Sequence, residues 1–283
     1  MLRRITIAVA AAAALAGGVA FAANEAKPPM AHHFSFDGPL GSYDMGSVQR
    51  GFQVYYQVCS TCHSMDHLSY RELGEEGGPF AMYSVRDEAT GEMHKRVGLP
   101  AGEHGEFVQV TDNPYVRAFA NNVQIPDIDP ATGEATTRAG RITDHFRRPF
   151  ANEIAARAAN GGALPPDLSV ITLARAGGAG YVRSILLGYT GQTHGAQYVN
   201  DYFAGRYISM PPPLSVDGQV TYSDGTVATK QQMATDVANF LQWAADPHME
   251  ERKSMGIQVL IFLLALTGLL YVAYKQVWKG ESH

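Results

Sequence analysis

Cys59-Ser60-Thr61-Cys62-His63 decides how this chain is read. Two cysteines three apart, followed at once by a histidine, form the attachment signal for a covalently bound haem. At that spacing each thiol can add to one haem vinyl, and the histidine is held beneath the iron, where an imidazole nitrogen becomes the proximal ligand. Two plainer readings compete: a thioredoxin-like redox pair, or half of a zinc site. With only 2 cysteines in 283 residues, a zinc site would need other ligands and a chance adjacent histidine. The expectation is one haem c carried by Cys59 and Cys62, with His63 on the iron.

Upstream of the motif, Ser47 to Val58 has helical spacing. Val48, Phe52, Tyr55 and Cys59 share one face, and Gly51, Tyr55 and Cys59 stand four apart on it. A glycine there lets a second helix approach closely. Downstream, residues 71–150 show little periodicity and read as loops and short helices. Within them Ala89-Thr90-Gly91-Glu92 and Ala131-Thr132-Gly133-Glu134 are near copies, read as turns. Asn152 to Ala159 reads as a short helix stopped by Asn160-Gly161-Gly162. Leu164 to Ser169 is a rigid turn, Leu168–Ala174 and Gly180–Leu187 are helical pieces, and Gly188–Arg206 is a glycine- and tyrosine-rich loop. Gln219–Thr226 reads as a small hairpin closed at Ser223-Asp224-Gly225. Thr229-x-x-Gln232 is a capping box that opens a helix whose apolar stripe is Met233, Val237, Phe240, Leu241 and Ala244. Asp246-Pro247 ends it.

Both ends of the chain carry membrane signals. Met1 to about Ala23 reads as a cleaved secretory signal: Arg3 and Arg4, an alanine-rich apolar run, and small residues at Ala20 to Ala23. That run is short and weakly apolar for a first span. Met255 to Tyr274 contains no charge, and about 20 residues at 1.5 Å rise cross about 30 Å of hydrocarbon. Arg252 and Lys253 flank one end and Lys275 and Lys279 the other, with Tyr271, Tyr274 and Trp278 as interfacial aromatics. The flanking charges balance, so orientation follows from the signal instead. The bulk of the chain is exported, and the tail stays inside.

The formal net charge is −5, and loss of Arg3 and Arg4 deepens it. An acidic exported protein is unsuited to nucleic acid, whose backbone requires basic neutralisation, and better suited to docking a basic partner. Glu72, Glu75, Glu76, Asp87 and Glu88 are candidate steering charges.

The second face of the iron decides between electron transfer and ligand chemistry. Met65 and His67 follow the motif too closely to cross the haem, Met1 lies in the signal, Met255 in the span, and Met233 on an apolar stripe. Position alone leaves Met30, Met45, Met82, Met93, Met249 and His194 open alongside Met210. Met210 has one physical advantage: Pro211-Pro212-Pro213 stiffens the chain behind it, so a thioether can be held at the iron at low ordering cost.

The Gly51/Tyr55/Cys59 ladder, CSTCH, and a late helix with Phe240, Leu241 and Trp243 look like a class I cytochrome c fold. More specifically the chain resembles the cytochrome c1 family of bacterial and mitochondrial bc1 complexes. The matching segments are Arg50–Tyr55, Cys59–His63, Ala155–Ser169, Ala174–Gly178, Tyr202-Phe203, Met210–Leu214 and the terminal anchor. The resemblance implies a mainly α, class I cytochrome c-like haem domain with long loop insertions, plus one C-terminal transmembrane helix. It implies thioether bonds at Cys59 and Cys62, His63 and Met210 as axial ligands, and Arg175 and Tyr181 at a haem propionate. Pro165 and Pro166 match a turn beside the proximal histidine, where a backbone carbonyl can fix the imidazole. It also implies partners: cytochrome b, the Rieske iron–sulfur protein and a cytochrome c acceptor, in a dimeric membrane complex. The chain would then be a one-electron carrier rather than an enzyme by itself. Its expected layout is a signal at 1–23, a periplasmic haem domain at 24–250, a span at 251–274 and a cytoplasmic tail at 275–283. Residues 80–145 match least, and the extra cysteine pair of some bacterial relatives is missing. The rival functions are a haem subunit of a membrane dehydrogenase and a haem enzyme with an open distal site.

Overall fold

The structure, a computed structural model, describes residues 26–87, 90–99 and 103–280. The expected signal lies outside them, as does Glu88. Six α-helices are described: α1 (Met45–Gln57), α2 (Pro114–Asn121), α3 (Glu153–Ala159), α4 (Gly178–Leu187), α5 (Lys230–Ala245) and α6 (Met249–Val277). Their starts follow local chemistry. The side chains of Asp44, Asn113, Asn152 and Thr229 each accept a backbone N–H of the first turn of α1, α2, α3 and α5.

The core is the contact of α1 with α5. Val48, Phe52 and Tyr55 are buried on one side and Met233, Val237, Phe240 and Trp243 on the other, each worth about 1.5–3 kcal/mol once removed from water. Gly51 sits where the helices meet: a Cβ there would lie 2.6 Å from the Asp236 carbonyl carbon and 2.7 Å from Phe240 Cβ. Phe52 is the hub of an aromatic cluster with Phe80, Phe119, Phe146 and Phe240, at ring separations of 5.0–6.1 Å. Inside this apolar contact the fully buried Asp236 accepts from Arg50 Nε at 3.0 Å, Ser47 Oγ at 2.6 Å and Gln232 Nε2 at 3.0 Å. The capping box at Thr229 is therefore only half formed. Thr229 Oγ1 accepts from Gln232 N at 3.1 Å, but the Gln232 amide goes to Asp236.

The expected run of loops between 71 and 150 contains two small antiparallel sheets. In one, β1 (Met82–Arg86) lies between β2 (Met93–Val97) and β3 (Glu106–Phe107); in the other, β4 (Gln124–Ile128) pairs with β5 (Ala135–Ala139). The described parts of the two near-copied segments make the same bonds. Asp87 N and Asp129 N donate to Glu92 O and Glu134 O, Asp87 O and Asp129 O accept from Gly91 N and Gly133 N, and Gly91 and Gly133 have φ of +73° and +72°. The supposed loop at 188–206 is also sheet: β6 (Tyr189–His194), β7 (Gln197–Asn200) and β8 (Tyr207–Ile208) pair in that order. A mainly α domain with loop insertions thus needs amending, because much of the insertion is strand. Two further expectations change. Leu168–Ala174, expected as a helical piece, is a series of turns, and Gln219–Thr226, expected as a hairpin, keeps its turn at Ser223-Asp224 without flanking strands. These strands are short and mostly exposed on both faces, so they carry no alternation to read.

Arg138 fastens the β4–β5 hairpin to the segment that follows it. It donates two bonds to Asp144, at 2.6 and 2.8 Å, and one to Asp127 at 2.8 Å. The bonds from Arg138 outweigh burial and hold the Asp144 carboxyl down at about 2, against an ordinary 3.8. A carboxyl lowered on folding stabilises above its unfolded value, and that contribution is lost as pH falls through about 2. Asp144→Asn should therefore flatten the loss of stability between about pH 4 and pH 2; urea midpoints with the same slope as the parent would disprove it.

Helix α6 is long and apolar enough to cross a membrane, and its apolar stretch is exposed throughout. It begins inside the domain, at buried Met249, rather than at the first charge-free residue. Its first turns are tied to the aromatic lead. Lys253 Nζ donates to Phe36 O at 2.6 Å and Gly41 O at 3.1 Å, and Glu250 accepts Tyr43 N at 2.7 Å. Phe34, Phe36 and Tyr43 pack ring to ring beneath that attachment.

Candidate functional site

Cys59-Ser60-Thr61 form a 3₁₀ turn directly after α1, closed by Cys62 N and His63 N donating to Cys59 O at 3.1 and 2.9 Å. The helix thus continues into the motif, and its buried face delivers Tyr55 beneath it, where the phenol donates to His63 O at 3.4 Å. Cys59 and Cys62 are free thiols. Burial, then the neighbouring Cys62, pushes the Cys59 thiol up to about 12, so it is not the attacking thiolate that a redox dithiol needs. Among the described residues no three His, Cys, Asp or Glu side chains converge on a metal site, which removes the partners a zinc reading requires.

His63 Nδ1 lies 2.8 Å from Pro166 O, the kind of bond expected at Pro165-Pro166. A carbonyl only accepts, so Nδ1 carries the proton and Nε2 keeps its lone pair. Burial lowers the His63 pKa against the opposing pull of the Pro166 carbonyl and Asp167, which keeps the ring neutral and able to ligate. The 166–169 turn is stitched to the motif's exit by four further bonds: Leu168 N to Ser64 O at 2.9 Å, Ser64 Oγ and Asp66 N to Asp167 Oδ2 at 2.8 Å each, and His67 N to Ser169 Oγ at 3.1 Å.

Met210 is held by a separate set of elements. Strand β8 delivers it, β7 pairs with β8, and the Tyr189 phenol on β6 donates to Met210 O at 3.0 Å. Burial raises the Tyr189 pKa, so the phenol stays a donor. Beyond Met210 the prolines are pinned by Gln219 Nε2 donating to Pro213 O at 2.8 Å. Of the other candidates, Met82 and Met249 are buried in the core and Met93 is exposed on β2. Met30 donates its N–H to Ser184 Oγ, Met45 opens α1, and His194 stacks on Tyr207 at 4.4 Å at the end of β6.

Arg175 and Tyr181 stand on either side of Gly177-Gly178, whose φ values of +89° and +54° turn the chain into α4. Burial raises the Tyr181 pKa and the Arg175 charge lowers it, so the two side chains are close. Arg175 is exposed, and among the described residues its guanidinium donates only to its neighbour's carbonyl, Ala174 O. Among the acids proposed for docking, Glu72 caps Ser69 N at 2.6 Å and Glu75 pairs with Arg71 at 2.8 Å. Both have structural work within the domain. A separate cleft of about 570 Å³, floored by Tyr55, Tyr70 and Phe146, touches the motif only through Ser60 and Thr61. It is lined by none of the expected ligands.

Sequence reasoning missed Tyr189 and Asp167. The first lay in a stretch read as loop, and the second inside a proline turn whose docking partner is about a hundred residues away.

The sequence has relatives elsewhere. The model of the Cytochrome C1 family matches residues 34–281. A protein named cytochrome c1 from Rhodospirillum rubrum is 39% identical over 297 aligned residues, covering 97% of each chain. The mitochondrial "Cytochrome c1 1, heme protein" of Arabidopsis thaliana is 43% identical over 248 residues, covering 86% of this chain and 69% of that one. "Cytochrome b/c1" of Bradyrhizobium diazoefficiens is 41% identical over 99% of this chain, which spans only 40% of that longer protein. The likeness runs from the aromatic lead through motif, proline turn and methionine strand to the terminal helix: the chain belongs to the cytochrome c1 family.

Proposed function

We propose that the chain is the membrane-anchored haem c subunit of a quinol–cytochrome c oxidoreductase, carrying one electron from a Rieske iron–sulfur protein to a cytochrome c. The observation that carries this reading is the His63–Pro166 bond, which presents a neutral Nε2 beside two uncrosslinked cysteines in a chain of this family. Those residues fit a haem c. Cys59 and Cys62 would hold it covalently, His63 and Met210 would ligate its iron, and Arg175 with Tyr181 would meet a propionate. When bound, the haem supplies a one-electron Fe(III)/Fe(II) couple.

The chain's own residues set the conditions of that couple. The Pro166 carbonyl fixes the imidazole ring and raises its basicity. Tyr189 fixes the backbone carbonyl of Met210 and the three prolines stiffen the chain after it, so the thioether would be offered to the iron at low ordering cost and would leave no place there for a substrate. The fold around them is that of a class I cytochrome c, with α1 and α5 as its first and last helices. A signal at 1–23 exports the haem domain of 24–250 to the periplasmic side of the inner membrane. The span at 251–274 holds it beside cytochrome b in a dimeric complex, with 275–283 in the cytoplasm. Helix α6, rooted in the domain through Lys253 and Glu250, supports that placement.

Purified protein should show haem that survives denaturation and a low-spin ferrous spectrum that ignores carbon monoxide. Rapid carbon monoxide binding would replace the carrier with a haem enzyme. Isolation from native membranes should bring cytochrome b and an iron–sulfur protein; recovery of a dehydrogenase subunit in their place would overturn the assignment.

A further inference from the structure

Asp167 has no role in the proposed function, yet its carboxylate accepts three hydrogen bonds beside the candidate haem site. Its Oδ2 accepts Ser64 Oγ and Asp66 N at 2.8 Å each, and its Oδ1 accepts Ser169 N at 2.9 Å. All three donors come from the segments on either side of the His63–Pro166 contact: Ser64 and Asp66 follow the histidine, and Ser169 follows the proline. Among the described residues it forms no ion pair; Arg148 pairs with Asp66 Oδ1 at 2.8 Å and feels the Asp167 charge only at longer range. Burial raises the Asp167 pKa, but the bonds from Ser169, Asp66 and Ser64 hold it below the ordinary carboxylate value, so it carries a full charge at neutral pH.

We propose that Asp167 is a positioning residue for the proximal histidine: its carboxylate buckles the 166–169 turn onto Ser64 and Asp66, which sets where the Pro166 carbonyl meets the His63 Nδ1–H. The inference rests on the haem reading above. Two physical effects follow, and they act in the same direction. A negative charge near the imidazole stabilises the more positive, oxidised iron. A well-placed carbonyl acceptor makes the imidazole a stronger electron donor, which does the same. Loss of Asp167 removes the charge and loosens the acceptor, so both effects move the midpoint potential upward.

The buckle differs from an ordinary turn in what depends on it. Ser169 N–H to Asp167 Oδ1 is a local turn bond that a simple structural role would explain. The two bonds on Oδ2 instead cross between segments about a hundred residues apart and converge on the residues immediately after the axial histidine.

The test uses the full-length protein with its haem attached, as Asp167→Asn and Ser64→Ala. The first removes the charge and places an amide where Oδ2 accepts two donors; the second removes one donor and keeps the charge. Both should retain covalent haem and a low-spin spectrum. Asp167→Asn should raise the midpoint potential and shift the g-values of the oxidised haem, which report imidazole orientation. Ser64→Ala should shift the g-values less, with a smaller change in potential. Parental g-values and potential in Asp167→Asn would overturn the proposal. If that variant does not accumulate, Ser64→Ala decides in its place, and parental g-values there would be equally fatal. Parent protein without covalent haem would overturn the haem reading and this proposal with it, whereas unmoved variants in a haem-loaded parent overturn this proposal alone.

Discussion

Met210→Leu should leave haem attached at Cys59 and Cys62 but lower its midpoint potential by roughly 0.2 V, about a quarter of the range that axial ligation sets. A thioether stabilises ferrous iron, and leucine has the same bulk with no donor atom, so the reduced state loses its preference. The same change opens the sixth position, and ferrous protein should then bind carbon monoxide. The backbone should survive, because Met210 is fixed through its carbonyl by Tyr189 and through its neighbours by β7 and the proline run, none of which uses the sulfur. Redox titration with carbon monoxide difference spectra measures both effects. An unchanged potential would return the sixth ligand to the residues that position alone leaves open, of which Met30 and His194 lie outside the core and off the exposed β1–β2 hairpin.

Gly51→Ala should be strongly destabilising, costing about 3 kcal/mol, the upper end of overpacking costs. For a domain of this size that corresponds to a fall of about 10 °C in Tm. The reason is what the new methyl meets: the backbone of Asp236, 2.6 Å from its carbonyl carbon, and Phe240 Cβ at 2.7 Å. Neither is the far end of a flexible side chain, so α1 and α5 must separate. Separation weakens the Phe52 and Tyr55 contacts with Phe240, both at 5.6 Å, and stretches the Arg50–Asp236 pair between the two helices. Breaking such a buried pair costs more than making it gains. Gly180→Ala is the matched control: it also lies in a helix, but its Cβ would meet nothing within 4 Å, and stability should hold or rise slightly. Equal Tm values for the two variants would show that the helices do not cross at Gly51.

What sequence alone determined here is chemistry that sits on contiguous residues or on one helical face. CSTCH, the charge-free run before Lys275, the cap at Thr229, and the Gly51 ladder are all local. Each is set by bond lengths, by 3.6-residue periodicity or by a single side chain meeting its own backbone. The three small sheets were illegible for the converse reason. Strands such as Met93–Val97 and Ala135–Ala139 have little buried face, so no alternation marks them, and their pairing is decided by turns and neighbours. Only the tertiary structure decided how the candidate site is held. The carbonyl that fixes His63 comes from a residue 103 positions away, and the carboxylate of Asp167 that aligns it meets Ser64 across the same gap. The Tyr189 phenol reaches Met210 only because β6, β7 and β8 fold back side by side. Hydrogen bonds between distant segments depend on where whole elements dock, and no spacing within one stretch of chain encodes that.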